Sequence, residues 1–180
     1  MRACLDACVL FPTVLREVLI GVAGLGLYDP IWSERILEEW ARATVKLGPE
    51  AEAQARGEVA LLKAQFPNAS VRPREGDMTR LHLPDENDVH VLAAAIRGSA
   101  DVLVTLNAKD FPRQQLAHEG VQRMSPDAFL MDLWMETPAA VEQVVREVHA
   151  TAQRMMGDDI ALRALMKRAR LPRLGKALSG

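Results

Sequence analysis

Asp101-Val-Leu-Val-Thr105-Leu-Asn107-Ala-Lys109-Asp110 is the stretch on which the fold turns. Its apolar run is too short for a helical stripe and is bounded by turn residues, so it reads as a strand that hands over to a polar loop. Working back from it, Asn87 to Arg97 carries a helical pattern, preceded by the loop chemistry of Leu81-His-Leu-Pro-Asp85-Glu-Asn87. Ala69 to Arg72 reads as a short strand, and Pro49 opens a helix that ends near Phe66-Pro67. Ser33 is placed to cap a helix running to about Leu47, stopped by Gly48-Pro49. A helix is expected from Pro12 to about Gly24, and Ala3 to Leu5 reads as a buried strand ending in Asp6.

Working forward, Arg113 to His118 is a short helix and Val121 to Met124 one more strand. From Ser125-Pro126 the reading is helical: about Pro126 to Met135, Pro138 to Met155 and Asp158 to Arg170. Strands alternating with helices over the first 125 residues imply a parallel sheet with helices on its faces. The expected organisation is a domain over residues 1–136 and a helical C-terminal extension over 137–180.

The 180 residues are enough for one buried domain plus an extension. A hydrophobic share of 49% against 26% charged excludes an intrinsically disordered chain. The net charge is −2, but it is unevenly spread. From Ile160 to Gly180 there are six cations (Arg163, Lys167, Arg168, Arg170, Arg173, Lys176) and no carboxylate, which leaves −8 for residues 1–159. An acidic body with a basic tail suits a carboxylate-rich metal site and a separate polyanion contact; it equally suits a solvated helix face. Cys4 and Cys8 are too few for a disulfide framework, and the four histidines show no zinc-ligand spacing. Asp6 interrupts any signal-like apolar run, and Val18 to Leu27 is too short to span a bilayer, so a cytoplasmic location is expected.

In parallel α/β sheets ligands sit outside the carboxyl ends of the strands. Asp6 follows the first strand there; Asn107 and Asp110 follow the strand ending at Leu106. Asp88 lies in the first turn of the 87–97 helix, with Asp85 just before it, and Glu39 lies within the Ser33–Leu47 helix. Taken singly, each has an ordinary explanation as a cap, a turn residue or a solvated helix position. Taken together, they form an oxygen-rich set of the kind that Mg2+ and Mn2+ require.

The ordered set Leu5-Asp6-Ala-Cys-Val-Leu10, Ser33 to Glu39, Asp85-Glu-Asn-Asp88-Val-His-Val-Leu-Ala-Ala94 and Val102 to Phe111 resembles the PIN-domain family, the fold of VapC-type toxin ribonucleases. The resemblance covers roughly residues 1–130, and the tail resembles the helical extension of one VapC-like subgroup. It implies a three-layer α/β/α fold with a mainly parallel sheet. It also implies a Mg2+- or Mn2+-dependent endoribonuclease leaving 5′-phosphate and 3′-hydroxyl ends. Asp6, Glu39, Asp88 and Asp110 map onto the family's acidic positions, with Glu38 as the alternative to Glu39. Asp6, Asp88 and Asp110 would hold metal, and Glu39 would be a further ligand or orient the attacking water. Asp85, Thr105 and Asn107 take auxiliary places, and Lys109, Arg113, Lys167, Arg168 and Arg170 would hold RNA phosphates.

The partners implied are RNA, a small antitoxin and a second copy of the chain. Two departures stand out: Cys8 where many members carry Asn or Ser, weakening a polar supporting role there, and Asn107 where many carry Asp. A haloacid-dehalogenase-type phosphatase also begins with a strand and an Asp, but it needs a second Asp at the position of Cys8. The other alternative is a catalytically silent PIN-like module that binds RNA or a protein.

Overall fold

The computed structural model describes residues 1–180. The chain runs β1 (Arg2–Leu5), α1 (Ala7–Leu10), α2 (Thr13–Gly24), β2 (Asp29–Ser33), α3 (Glu34–Ala43) and α4 (Pro49–Gln65). It continues with β3 (Ser70–Val71), α5 (Glu75–Arg80), α6 (Val89–Arg97), β4 (Val102–Val104), α7 (Arg113–His118) and β5 (Gln122–Met124). The last four elements are α8 (Pro126–Glu136), α9 (Pro138–Met156), α10 (Leu162–Arg168) and α11 (Pro172–Ala177). Tight 3-10 turns occupy Thr44–Leu47 and Glu86–Asp88. No helix is long and apolar enough to cross a membrane.

The five strands form one sheet in the order β3-β2-β1-β4-β5, and every pairing is parallel. This is the expected α/β fold. The order also carries information. After β1 the chain builds outward on one side through β2 and β3, then crosses back to build the other side through β4 and β5. The carboxyl ends of β1 and β4 therefore flank the point at which the strand order reverses, where α/β sheets place their ligands. The central strands are buried on both faces: Ala3, Cys4, Leu5, Val102, Leu103 and Val104 are almost wholly inaccessible.

β2 went unanticipated because its sequence, Asp29-Pro-Ile-Trp-Ser33, opens with turn residues and holds a proline. Proline is disfavoured in a central strand because it cannot donate to the ladder. The sheet accommodates it by geometry. The Trp32 amide donates toward β3, to the Ala69 carbonyl at 3.0 Å, and Pro30, two residues earlier, faces the same side. The register of β3 begins only opposite Trp32, so no acceptor is left waiting for Pro30. α6 closes against this strand through Gly98, where an added Cβ would stand 2.5 Å from Ile31 Cγ2.

Two compact units emerge. The first comprises residues 1–11 and 28–124 and contains the sheet; the second comprises 12–27 and 125–180 and contains α2 with α8 to α11. The units thus do not follow chain order. Within the second unit α2 meets α9 closely: a Cβ on Gly21 would lie 2.6 Å from Val144 Cγ1. The expected 158–170 helix is shorter, starting at Leu162, and Leu171-Pro172 separates it from α11. Buried Asp127 tethers that last helix by accepting the amides of Arg173 (3.0 Å) and Leu174 (3.1 Å).

Candidate metal centre

The β1–β4 register sets Leu5 opposite Val104, so the residues that follow, Asp6 and Thr105, meet beyond the strand ends. The Asp6 amide continues the ladder to the Val104 carbonyl at 3.2 Å. Asp6 is buried, and a buried carboxylate must be met by donors. The Thr105 hydroxyl donates to Asp6 Oδ2 at 2.7 Å and the Cys8 thiol to the same oxygen at 3.2 Å. Behind these donors, the Asn107 amide donates to Thr105 Oγ1 (3.0 Å) and the Leu106 amide to Cys8 Sγ (3.3 Å). Two successive amides after β4 thereby aim a hydroxyl and a thiol at one carboxylate oxygen.

Cys8 consequently does support Asp6, against the expectation drawn from its departure from Asn or Ser. Burial, and then the Asp6 charge, push its thiol up to about 12, so it remains a donor at neutral pH.

A second carboxylate group forms where the Glu86–Asp88 turn meets the loop after β4. Oxygens of Asp85, Asp88 and Asp110 all lie within 4.8 Å of one another. Asp85 also caps the turn, accepting from the Asn87 amide (2.9 Å) and side chain (3.0 Å). Asp110 is carried by a loop anchored at buried Phe111, and Arg123 Nη1 binds the carbonyls of Ala108 (2.7 Å) and Phe111 (2.9 Å) beneath it. Asn107 donates to Asp88 Oδ2 at 3.2 Å. Partial burial first, then the charges of Asp6, Asp85 and Asp110, push the Asp88 carboxyl from its ordinary range to about 6. None of the four aspartates forms an ion pair. Oxygen donors crowded together without a compensating cation fit a hard divalent ion such as Mg2+ or Mn2+.

Glu39 is not drawn into that group. Its Oε1 lies 2.8 Å from His90 Nε2, off the direction of a good hydrogen bond, and 3.2 Å from Arg35 Nε. Partial burial raises its carboxyl, but the His90 and Arg35 contacts outweigh this and hold it below the ordinary range. Glu38 is paired with Arg56 (2.8 Å) and Arg42 (2.7 Å). Lys109 and Arg113 are exposed on the loop after β4 and at the start of α7. Lys167, Arg168 and Arg170 are exposed in and after α10, in the second unit, while Leu165 and Met166 of that helix are buried.

Sequence reading did not single out Arg123 or His90 for this region. An arginine in an edge strand and a histidine inside an apolar helix carry no mark of the loop or carboxylate they will meet. Asp127 was not singled out either: Ser125 caps α8 through the Ala128 amide, while Asp127 caps a helix more than forty residues away.

A parallel sheet with acids gathered beyond β1 and β4 defines an α/β domain with a carboxylate cluster at its switch point. The sequence pattern of the PIN domain family matches residues 2–109, more than half the chain, and this protein belongs to that family. The match spans Asp6, Glu39, Asp85, Asp88, Thr105 and Asn107 and stops one residue before Asp110. The chain is also 46% identical, over 57 residues, to the "Putative ribonuclease VapC50" of Mycobacterium tuberculosis (strain ATCC 25618 / H37Rv). That stretch covers 30% of this chain and 34% of the relative, so the chain spans about a third of the relative's length. No solved structure matches the chain significantly.

Proposed function

We propose that this protein is a metal-dependent endoribonuclease and the toxin of a toxin–antitoxin pair. The observation that carries the reading is the cluster of Asp85, Asp88 and Asp110, which forms no ion pair within the chain and is adjoined electrostatically by Asp6. Family membership and the name of the mycobacterial relative support ribonuclease chemistry.

In this reading Asp6, Asp88 and Asp110 hold Mg2+ or Mn2+, directly or through water, and Asp85 completes the acidic wall. The ion supplies Lewis acidity to the scissile phosphate and to the attacking water. The chain's own contribution is orientation. Thr105 and Cys8 both engage Oδ2 of Asp6, which leaves Oδ1 free to face the cation. Asn107 fixes Asp88 Oδ2, and Arg123 keeps the Asp110 loop from drifting away. Glu39, paired with Arg35, is assigned to holding that guanidinium along the path of the RNA backbone. Lys109 and Arg113 extend that path with phosphate contacts, which position the strand without reading its sequence. The partner expected in the cell is an antitoxin whose Arg or Lys enters the acidic cleft, since charge-assisted bonds to carboxylates are strong.

The test is cleavage of labelled RNA by purified protein with Mg2+ or Mn2+, with chelator, and with Asp6→Ala. Metal-dependent cutting lost in the variant is expected, together with slowed growth on expressing the wild type alone. RNA binding without any metal-dependent cutting would instead make the chain a silent PIN-like module.

A further inference from the structure

Val71, Pro73 and Met78 wall a pocket of about 340 Å3 whose lining also holds Arg35, Arg72, His90 and Glu34, the last paired with Lys63 at 2.7 Å. Ser33 and Val71, the last residues of β2 and β3, also line it. Because the sheet is wholly parallel, this pocket opens along the same carboxyl edge that carries Asp6 and Thr105. Arg35 links the two places: its side chain reaches Glu39 at 3.2 Å and the Asn87 carbonyl, in the turn that ends at Asp88, at 3.5 Å. His90, on the pocket's inner side, follows Asp88 by two residues and is buried. Arg72 is exposed at the mouth and forms no ion pair.

We infer that this pocket is a nucleotide subsite, in which one unstacked base of single-stranded RNA enters the Val71–Pro73–Met78 cavity with its phosphate on Arg72 and Arg35. The inference rests on the reading of the protein as RNA-binding. A nucleotide joins the two features the pocket offers, a flat body for an apolar cleft and an anion for a guanidinium rim. Single-stranded RNA is commonly gripped by splaying out bases, and arginine serves both base faces and phosphates. The volume lies at the small end of ligand sites, about 300–1,000 Å3, which suits one base rather than a stacked pair. A strand held here would run along Arg35 toward the acid cluster and gain register relative to the scissile bond.

Binding of a fluorescein-labelled, mixed-sequence single-stranded RNA, read by anisotropy with Mg2+ in the full-length Asp6→Ala chain, separates affinity from turnover. In that background Arg72→Gln should weaken binding roughly three- to tenfold and flatten the log–log salt slope by about 0.7. Met78→Ala should weaken binding a few-fold with the slope unchanged, since it removes apolar wall and no charge, and Met78→Leu should restore it. Arg74→Gln, an exposed cation outside the pocket, should change little. Equal losses for Arg72→Gln and Arg74→Gln would reveal a diffuse charge effect and overturn the subsite. Unchanged affinity in both Arg72→Gln and Met78→Ala, with unaltered melting curves, would overturn it too. Should the wild type cut no RNA while Arg72 and Met78 still govern binding, the nuclease reading falls and the subsite stands.

Discussion

Glu38 and Asp88 are both partly accessible carboxylates in the sheet-containing unit, and the fold drives them in opposite directions. Glu38 sits on α3 between Arg42 and Arg56, whose hydrogen bonds hold its carboxyl down at about 2. Asp88 sits among Asp6, Asp85 and Asp110, and partial burial and like charge push it to about 6. A carboxylate that has found its cation within the chain is finished as a structural group. A carboxylate surrounded by others stores repulsion that only an external cation, a proton or a partner's arginine can relieve. The contrast separates a carboxylate neutralised within the chain from one whose charge the chain leaves unmet.

The largest effect should be on catalysis. Asp88→Ala or Asp6→Ala should remove several kcal/mol of transition-state stabilisation, a loss of about a hundred- to thousandfold or more in RNA cleavage. Glu38→Gln should cut at near wild-type rate. Equal losses in the Glu38 and Asp88 variants, with circular dichroism confirming folded protein, would erase the distinction between the two carboxylates.

Next in size is the response to metal. Mn2+ at about a hundred times its dissociation constant should stabilise the wild type by roughly 2.7 kcal/mol. The gain should shrink in Asp88→Asn and persist in Glu38→Gln, as thermal melting would report. A wild-type melting temperature indifferent to Mn2+ and Mg2+ would remove the cation from the site.

Smaller shifts should appear in pH dependence without metal. The raised carboxyl of Asp88 means the native state holds its proton longer than the unfolded chain does. Its contribution to stability is therefore present at about pH 4 and lost as pH rises through about 6. Solvent screening around a half-buried group reduces the effect to about 1 kcal/mol, which Asp88→Asn should recover at neutral pH. Glu38 has the opposite sign: its folded carboxyl is depressed, so its contribution is present at neutral pH and lost as pH falls through about 2. Melting profiles of Glu38→Gln and Asp88→Asn that move in the same direction across this range would contradict the contrast.

The smallest and most local effect concerns the exposed cations of the second unit. Lys167→Gln, Arg168→Gln and Arg170→Gln together should flatten the salt slope of RNA binding by about 2 if all three contact phosphates. The buried Leu165, Met166, Leu171 and Leu174 remain in that triple variant, so the fold of α10 and α11 should survive. An unchanged slope would assign the segment a purely structural role.

Much of this arrangement is legible along the chain because it rests on local physics. The apolar run at Val102–Val104 and the short run before Asp6 mark strands buried on both faces, and Ser33 caps α3 through the Ile36 amide at 3.2 Å, as its position suggested. The acids Asp6, Asp85, Asp88 and Asp110 are visible as polar residues at strand ends and a helix start, and their order along the chain carries the family resemblance. β2 was not legible, since the reason Pro30 is tolerated lies in where its neighbour β3 begins.

Sequence by itself therefore determined the parallel α/β class, most of its strands and helices, and the acids at their ends, because propensity and capping are properties of residues and their near neighbours. Only the tertiary structure decided which carboxylates share a site. Asp85, Asp88 and Asp110 converge because the 86–88 turn and the loop after β4 end at the same edge of the sheet. Glu39, equally acidic in sequence, is claimed by Arg35 and His90 instead. The physical reason is that charge acts through space over a few ångströms, while the chain separates these groups by tens of residues, and only the packed fold converts one distance into the other.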